Sequence, residues 1–189
     1  MSADTVSYLS IAASSAAALC FLFSSQQNLL LIGAIISCIL RLWCNMLDGM
    51  VAIESGTTSK RGEIVNEFPD RISDVLIFAG VAHSGLCHVA LGYWAAIMAL
   101  MTAYSGVIGQ TVGTPRQFGG IMSKPWRMVV LAIAAASVLI FGDQKLELAD
   151  GIPVFSTACV IVITGCVQTI SVRLLRTFKL LSSEESDAI

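Results

Sequence analysis

Apolar residues fill most of this chain in long runs, broken by short polar stretches at wide intervals. A helix needs about 20 mostly apolar residues to cross a bilayer. Six stretches meet or approach that length: 6–24, 28–53, 63–84, 87–110, 126–142 and 153–176. The pattern predicts an all-α, polytopic membrane protein with six transmembrane helices. Residues 1–180 then form one membrane domain, and 181–189 form a polar, disordered tail. The third stretch is the least apolar, and it carries a polar stripe with Pro69 inside it. A proline there removes a backbone hydrogen bond and is expected to bend that helix.

Composition agrees. The chain has 189 residues, 56% hydrophobic and 13% charged, with a mean hydropathy of +0.80. A soluble domain carries about a quarter charged residues. The basic residues are not clustered as a nucleic-acid surface requires, so no nucleic-acid partner is expected. Six cysteines fall in apolar stretches without metal-binding spacing and read as small buried hydrophobes. No cleavable signal peptide is evident at the N-terminus.

Charge sets the expected orientation. Lys60 and Arg61 lie between the second and third stretches, and Arg116, Lys124 and Arg127 between the fourth and fifth. Arg173, Arg176 and Lys179 lie at and beyond the end of the sixth. With alternating helices, all of them fall on one side of the membrane. The opposite side carries Lys145 among Asp143, Glu147 and Asp150. The positive-inside rule therefore puts both termini and the loop near residue 60 in the cytoplasm, at a cytoplasmic or inner membrane.

Candidate chemistry gathers in residues 45–74, NMLDGMVAIESGTTSKRGEIVNEFPDRISD. Carboxylates inside apolar helices are costly, so several in one place point to use. Asn45, Asp48 and Ala52 share one helix face, and Asn66, Asp70 and Asp74 recur every four residues on the next helix. Gly49 and Gly62 leave room for a ligand to approach the backbone. Two helices offering oxygen atoms across a gap suit a hard divalent cation such as Mg²⁺. The plainer alternative is that these groups hold the helices together by hydrogen bonds.

The same residues carry a resemblance. The spacing of Asn45, Asp48-Gly49, Ala52-Ile53, Gly62, Asn66 and Asp70 is similar to the signature D-x2-D-G-x2-A-R-x8-G-x3-D-x3-D of the CDP-alcohol phosphotransferase family. Every gap matches, while Asn45 and Asn66 stand where the family has aspartate and Ile53 where it has arginine. The resemblance implies a six-helix membrane enzyme. Such an enzyme moves a phosphate-linked group from a CDP-lipid such as CDP-diacylglycerol to a polar alcohol, releases CMP, and uses Mg²⁺ or Mn²⁺. Carried over, Asp48, Asp70, Asn45 and Asn66 become metal ligands, and Gly49, Ala52 and Gly62 pack against the cytidine nucleotide. Asp70 becomes the general base, with Asp74 in that role if Asp70 is committed to metal. Asp74 or Glu67 could also make up for the charge lost at Asn45 and Asn66. Family members carry a longer N-terminal arm, which VSYLS echoes weakly.

Three further features complete the picture. The segment GTPRQFGGIMSKPWR (113–127) reads as a cytoplasmic loop at the membrane surface. Its Arg116, Lys124 and Arg127 either anchor that loop or meet phosphate groups of donor or acceptor. Arg41, one turn before Asn45, either balances the carboxylates or binds phosphate. Small residues in helices four to six would allow a homodimer. The rival functions are a catalytically inactive relative that binds nucleotide or lipid, favoured by the two asparagines, and a small transporter using the carboxylates as an ion path. The transporter is disfavoured because no internal repeat is visible. The acceptor is open among inositol phosphate, glycerol phosphate and other polar alcohols.

Overall fold

The computed structural model describes residues 3–54, 60–142 and 151–187, with side chains described at 7–47, 64, 67–142 and 151–183. It is all-helical: α1 (Ala3–Leu22), α2 (Leu30–Glu54), α3 (Lys60–Ala82), α4 (Val89–Thr111), α5 (Lys124–Phe141) and α6 (Val154–Asp187). All six expected helices are present, within a few residues at most ends. Four of them, α2, α4, α5 and α6, are long and apolar enough to cross a membrane. The apolar part of α1 within the described side chains, Ser7–Leu22, is shorter, and α3 carries the charged stripe. Six spans are therefore an expectation, and four are met by length and composition.

Local chemistry accounts for the ends. Ser123 sits in extended backbone before α5, and Pro125 lies in the first turn of that helix. There its missing N–H costs no helical bond and its fixed φ favours the helix. Gly142, with φ 73°, ends α5. Pro69 lies inside α3, which remains helical on both sides of it. α6 runs to Asp187, well past residue 176 and into the stretch expected as a polar tail. Extending an existing helix is cheap, and Leu180, Leu181, Glu184 and Glu185 are good helix formers.

Packing joins the helices into a closed ring. α1 packs on α2 and α3, α3 on α4, α4 on α6, α6 on α5, and α5 back on α2. The buried side of α4 is a row of small residues, including Gly92, Ala95, Ala96, Ala99, Ala103 and Gly106. Small residues let helix backbones approach closely where lipid offers no hydrophobic drive for association. On α4, then, the small residues expected to permit a dimer are spent within the monomer. Gly80 of α3 meets the backbone of Ala18 of α1, where a Cβ would collide. Phe21 and Phe155 meet edge to face across the core, with ring centres 5.5 Å apart. The outward faces carry exposed Ile39, Trp43, Ile97, Ile133, Ile140 and Val167. Apolar outside and charged inside is the arrangement that a bilayer favours.

Candidate active site

Inside the ring, α2, α3 and α5 each send in a charged side chain. Arg41 of α2 and Asp74 of α3 are fully buried, and Arg127 of α5 nearly so. Arg41 Nη2 donates to Asp74 Oδ1 at 2.8 Å, and Arg127 Nη1 lies 3.0 Å from Asp74 Oδ2. One carboxylate thus lies between two guanidiniums. Two buried like charges would repel strongly at this range without it. Arg41 Nη2 also lies 3.4 Å from the backbone oxygen of Asp70 and 4.0 Å from its carboxylate. The expected balance between Arg41 and the acidic stripe is present. Arg41 is not among the side chains that line the neighbouring cavity.

One turn along α3 the setting changes. Asp70 is 3% exposed, and its Oδ2 accepts from Lys124 Nζ. Glu67 accepts from Arg71 through one oxygen and from Arg116 through the other, with Lys124 Nζ 3.7 Å away. Glu67 is therefore turned toward cations of the loop and of α3, not offered to a metal in place of Asn66.

Beside these residues opens a cavity of about 430 Å³. Arg71, Arg116, Lys124, Arg127 and Arg173 line it, with Glu67 as the one carboxylate among its described lining residues. Its floor is the segment between α4 and α5, expected as a surface loop. That segment is bound to α4 and α6: Gln117 N donates to Gly106 O at 3.0 Å and Met122 N to Thr169 Oγ1 at 2.9 Å. Arg173 Nε donates to Gly119 O at 2.9 Å. Gly106 makes room for this arginine, whose Nη1 lies 3.0 Å from where a Cβ would stand. Sequence reasoning reads Arg173 only as a flanking positive charge. The signal it passes over is that Arg173 falls inside the last apolar run, where an arginine needs partners.

The expected phosphate-binding residues divide accordingly. Arg116, Lys124 and Arg127 come together at the cavity, and Arg41 lies beneath it among carboxylates. Asn45 is half-buried on α2. The side chains of Asp48, Gly49, Ala52, Gly62 and Asn66 lie outside the described residues. Among the described residues no three His, Cys, Asp or Glu side chains gather as a metal site. The donor chemistry of Asp48, Asp70, Asn45 and Asn66 is all oxygen, which fits a hard divalent cation. In this structure Asp70 is paired with the ammonium group of Lys124.

No protein-family model matches the chain. Inner membrane protein YnbA of Escherichia coli is 26% identical over 141 residues, 75% of this chain and 70% of that protein. Archaetidylinositol phosphate synthase of Pyrococcus horikoshii is 29% identical over 58% of this chain. Phosphatidylinositol phosphate synthase of Streptomyces avermitilis is 26% identical over 68%. The matches span only 57% and 56% of those two synthases. In three dimensions the chain superposes on phosphatidylinositol phosphate synthase of Mycobacterium tuberculosis with CDP-DAG bound. The TM-score is 0.71 at 23% identity, covering 94% of this chain and 87% of that one. The same enzyme with manganese and citrate gives 0.72, covering 94% and 83%. The relatives this chain resembles include phosphatidylinositol phosphate synthases, which are CDP-alcohol phosphatidyltransferases. The spacing of residues 45–70 is thus joined by a likeness of fold to the Mycobacterium tuberculosis synthase across 94% of the chain.

Proposed function

We propose that this protein transfers a phosphatidyl-type group from a CDP-alcohol, such as CDP-diacylglycerol, to a phosphate-bearing alcohol in phospholipid synthesis. The observation that carries this reading is the cationic cavity opening beside Asp70, at the end of a signature with the family's spacing. Five cations against one carboxylate in a cavity wall favour a dianion, and arginine forks suit phosphate. Relatives named for inositol phosphate products support an acceptor of that kind.

In this reading Asp70 takes the proton from the acceptor hydroxyl: it is paired with Lys124, which lines the cavity. The freed oxygen attacks the phosphorus that bears the lipid, a new P–O bond forms, and the bond to CMP breaks. Asp74 is less suited to be the base, since both its oxygens face guanidiniums. It keeps Arg41 and Arg127 in place. Arg116, Lys124, Arg127 and Arg173 hold the acceptor phosphate and orient its hydroxyl. Asp48, with the amide oxygens of Asn45 and Asn66, would hold Mg²⁺ or Mn²⁺, which leaves Asp70 for the proton. Bound there, such an ion would offset charge on the donor diphosphate. Gly49, Ala52 and Gly62 would admit the cytidine nucleotide. The distribution of Lys and Arg supports a cytoplasmic location for this site and for both termini, in a cytoplasmic or inner membrane.

The test is CMP release from CDP-diacylglycerol by purified protein, with Mg²⁺, across inositol phosphate, glycerol phosphate and their unphosphorylated alcohols. Release is expected only with the phosphorylated acceptors, and chelation by EDTA should abolish it. A second reading is favoured by Asn45, Asn66 and the ammonium of Lys124 on Asp70: a relative that binds cytidine nucleotide without turning it over. Nucleotide binding without CMP release from any acceptor would select it.

A further inference from the structure

Glu67 stands out in the cavity wall. Three cations from two parts of the chain converge on it: Arg71 of α3, and Arg116 and Lys124 at either end of the α4–α5 segment. Its carboxylate is the one negative charge among the described lining residues, and it sits where a bound anion would meet the same cations. Arg127 is 1% exposed, yet among the described residues its Nε has no hydrogen-bond partner, and Nη1 of Arg71 has none either. Buried guanidinium donors without partners are costly, so this cluster is held together by its ion pairs rather than by a complete hydrogen-bond network.

Glu67 also has somewhere to go. It borders a second, mostly apolar hollow of about 460 Å³ between α3 and α4, lined by Ile64, Phe68, Leu100, Tyr104 and Val107 together with Arg71, which can follow the carboxylate there as its partner. Its side chain is 21% exposed, so a rotamer change can carry the carboxylate out of the cation cluster without moving the helix.

We propose that Glu67 is a tethered competitor for the acceptor's phosphate, and so a specificity-determining residue. With the cavity vacant, its carboxylate neutralises Arg71, Arg116 and Lys124. A phosphomonoester dianion, with more charge and three terminal oxygens, displaces it and takes its place among those three cations. A neutral alcohol offers nothing that can displace it. Discrimination against neutral acceptors thus comes from an exchange of anions within one site.

The inference rests on the proposed reaction for its biological meaning, but its test does not require turnover. Binding of glycerol phosphate and of inorganic phosphate is measured by calorimetry on the full-length protein in neutral detergent, without donor or metal. Wild type is compared with Glu67→Gln and Glu67→Ala, with short-chain phosphatidic acid as a third ligand. Removing a fixed negative charge next to the bound dianion should tighten both soluble ligands by about tenfold, and the gain should shrink as salt rises. Unchanged or weaker binding in both variants overturns the proposal, because Glu67 would then organise the cations rather than compete for them. A gain confined to phosphatidic acid overturns it too, since the displacing phosphate would belong to lipid. Tighter phosphate binding in a protein that releases no CMP would sink the proposed reaction and leave the exchange standing. CMP release with unchanged phosphate affinity would do the reverse.

Discussion

Two carboxylates one helical turn apart have different surroundings, and those surroundings assign them different work. Asp74 lies between Arg41 and Arg127, with no exposed surface. Removing one partner of a buried ion pair strands the other's charge, at a typical cost of about 3–5 kcal/mol. Asp74→Ala strands two guanidiniums, so it should lower the unfolding temperature in detergent sharply. Asp74→Asn keeps the shape and should do so less. An unchanged melting temperature in the alanine variant would show that the two arginines find other partners. Asp70 lies behind the cavity wall and pairs with a lysine of that wall that is 29% exposed. Asp70→Asn should therefore fold with a near-normal melting temperature and lose CMP release. A folded Asp70→Asn protein with full turnover would remove Asp70 from the role of base.

At the scale of elements, the apolar runs were sufficient to locate all six helices, because long hydrocarbon stretches have few alternatives in a membrane. Part of the site could be read as well: the four-residue recurrence put Asp70 and Asp74 on one face of α3, and Arg116, Lys124 and Arg127 were grouped as phosphate candidates, though Lys124 was read into the loop and not as the start of α5. What could not be read was partnership. Periodicity places Arg41 on α2 and Asp74 on α3, but their ion pair depends on how α2, α3 and α5 meet, which spacing within one helix does not encode. Glu67 was legible as off the Asn66 face, not as a meeting point for three cations. Contacts made by what a residue lacks are equally silent. Gly80 lets α3 lie against the Ala18 backbone of α1. Gly80→Leu forces these helices apart, and overpacking of this kind costs about 1–3 kcal/mol or more. The expected outcome is a lower melting temperature with weakened activity, while the conservative Gly80→Ala should sit between that variant and wild type.

The whole molecule separates two environments. A ring of six helices turns exposed Ile133, Ile140 and Val167 outward and holds Arg41, Asp74 and Arg127 within. The cationic cavity opens near one end of the ring, where α5 and the α4–α5 segment begin and end with Arg116 and Lys124. Helices of alternating direction put the start of α3, the end of α4, the start of α5 and the late part of α6 at that same end. Lys60, Arg71, Arg116, Lys124, Arg173 and Arg176 lie in those parts of the chain. Cytidine nucleotides are cytosolic, so a cavity serving a CDP-lipid must open there, and the positive-inside rule points the same way from charge alone. The two arguments are independent, so their agreement can be tested by topology. Green fluorescent protein fused after Ile189 should fluoresce, and alkaline phosphatase fused there should be inactive. Phosphatase fused after Gly85, in the turn between α3 and α4, should be active. Active phosphatase at the C-terminus would place the cavity on the far side of the membrane from its nucleotide, and the proposed reaction would have to be abandoned, however well the fold matches.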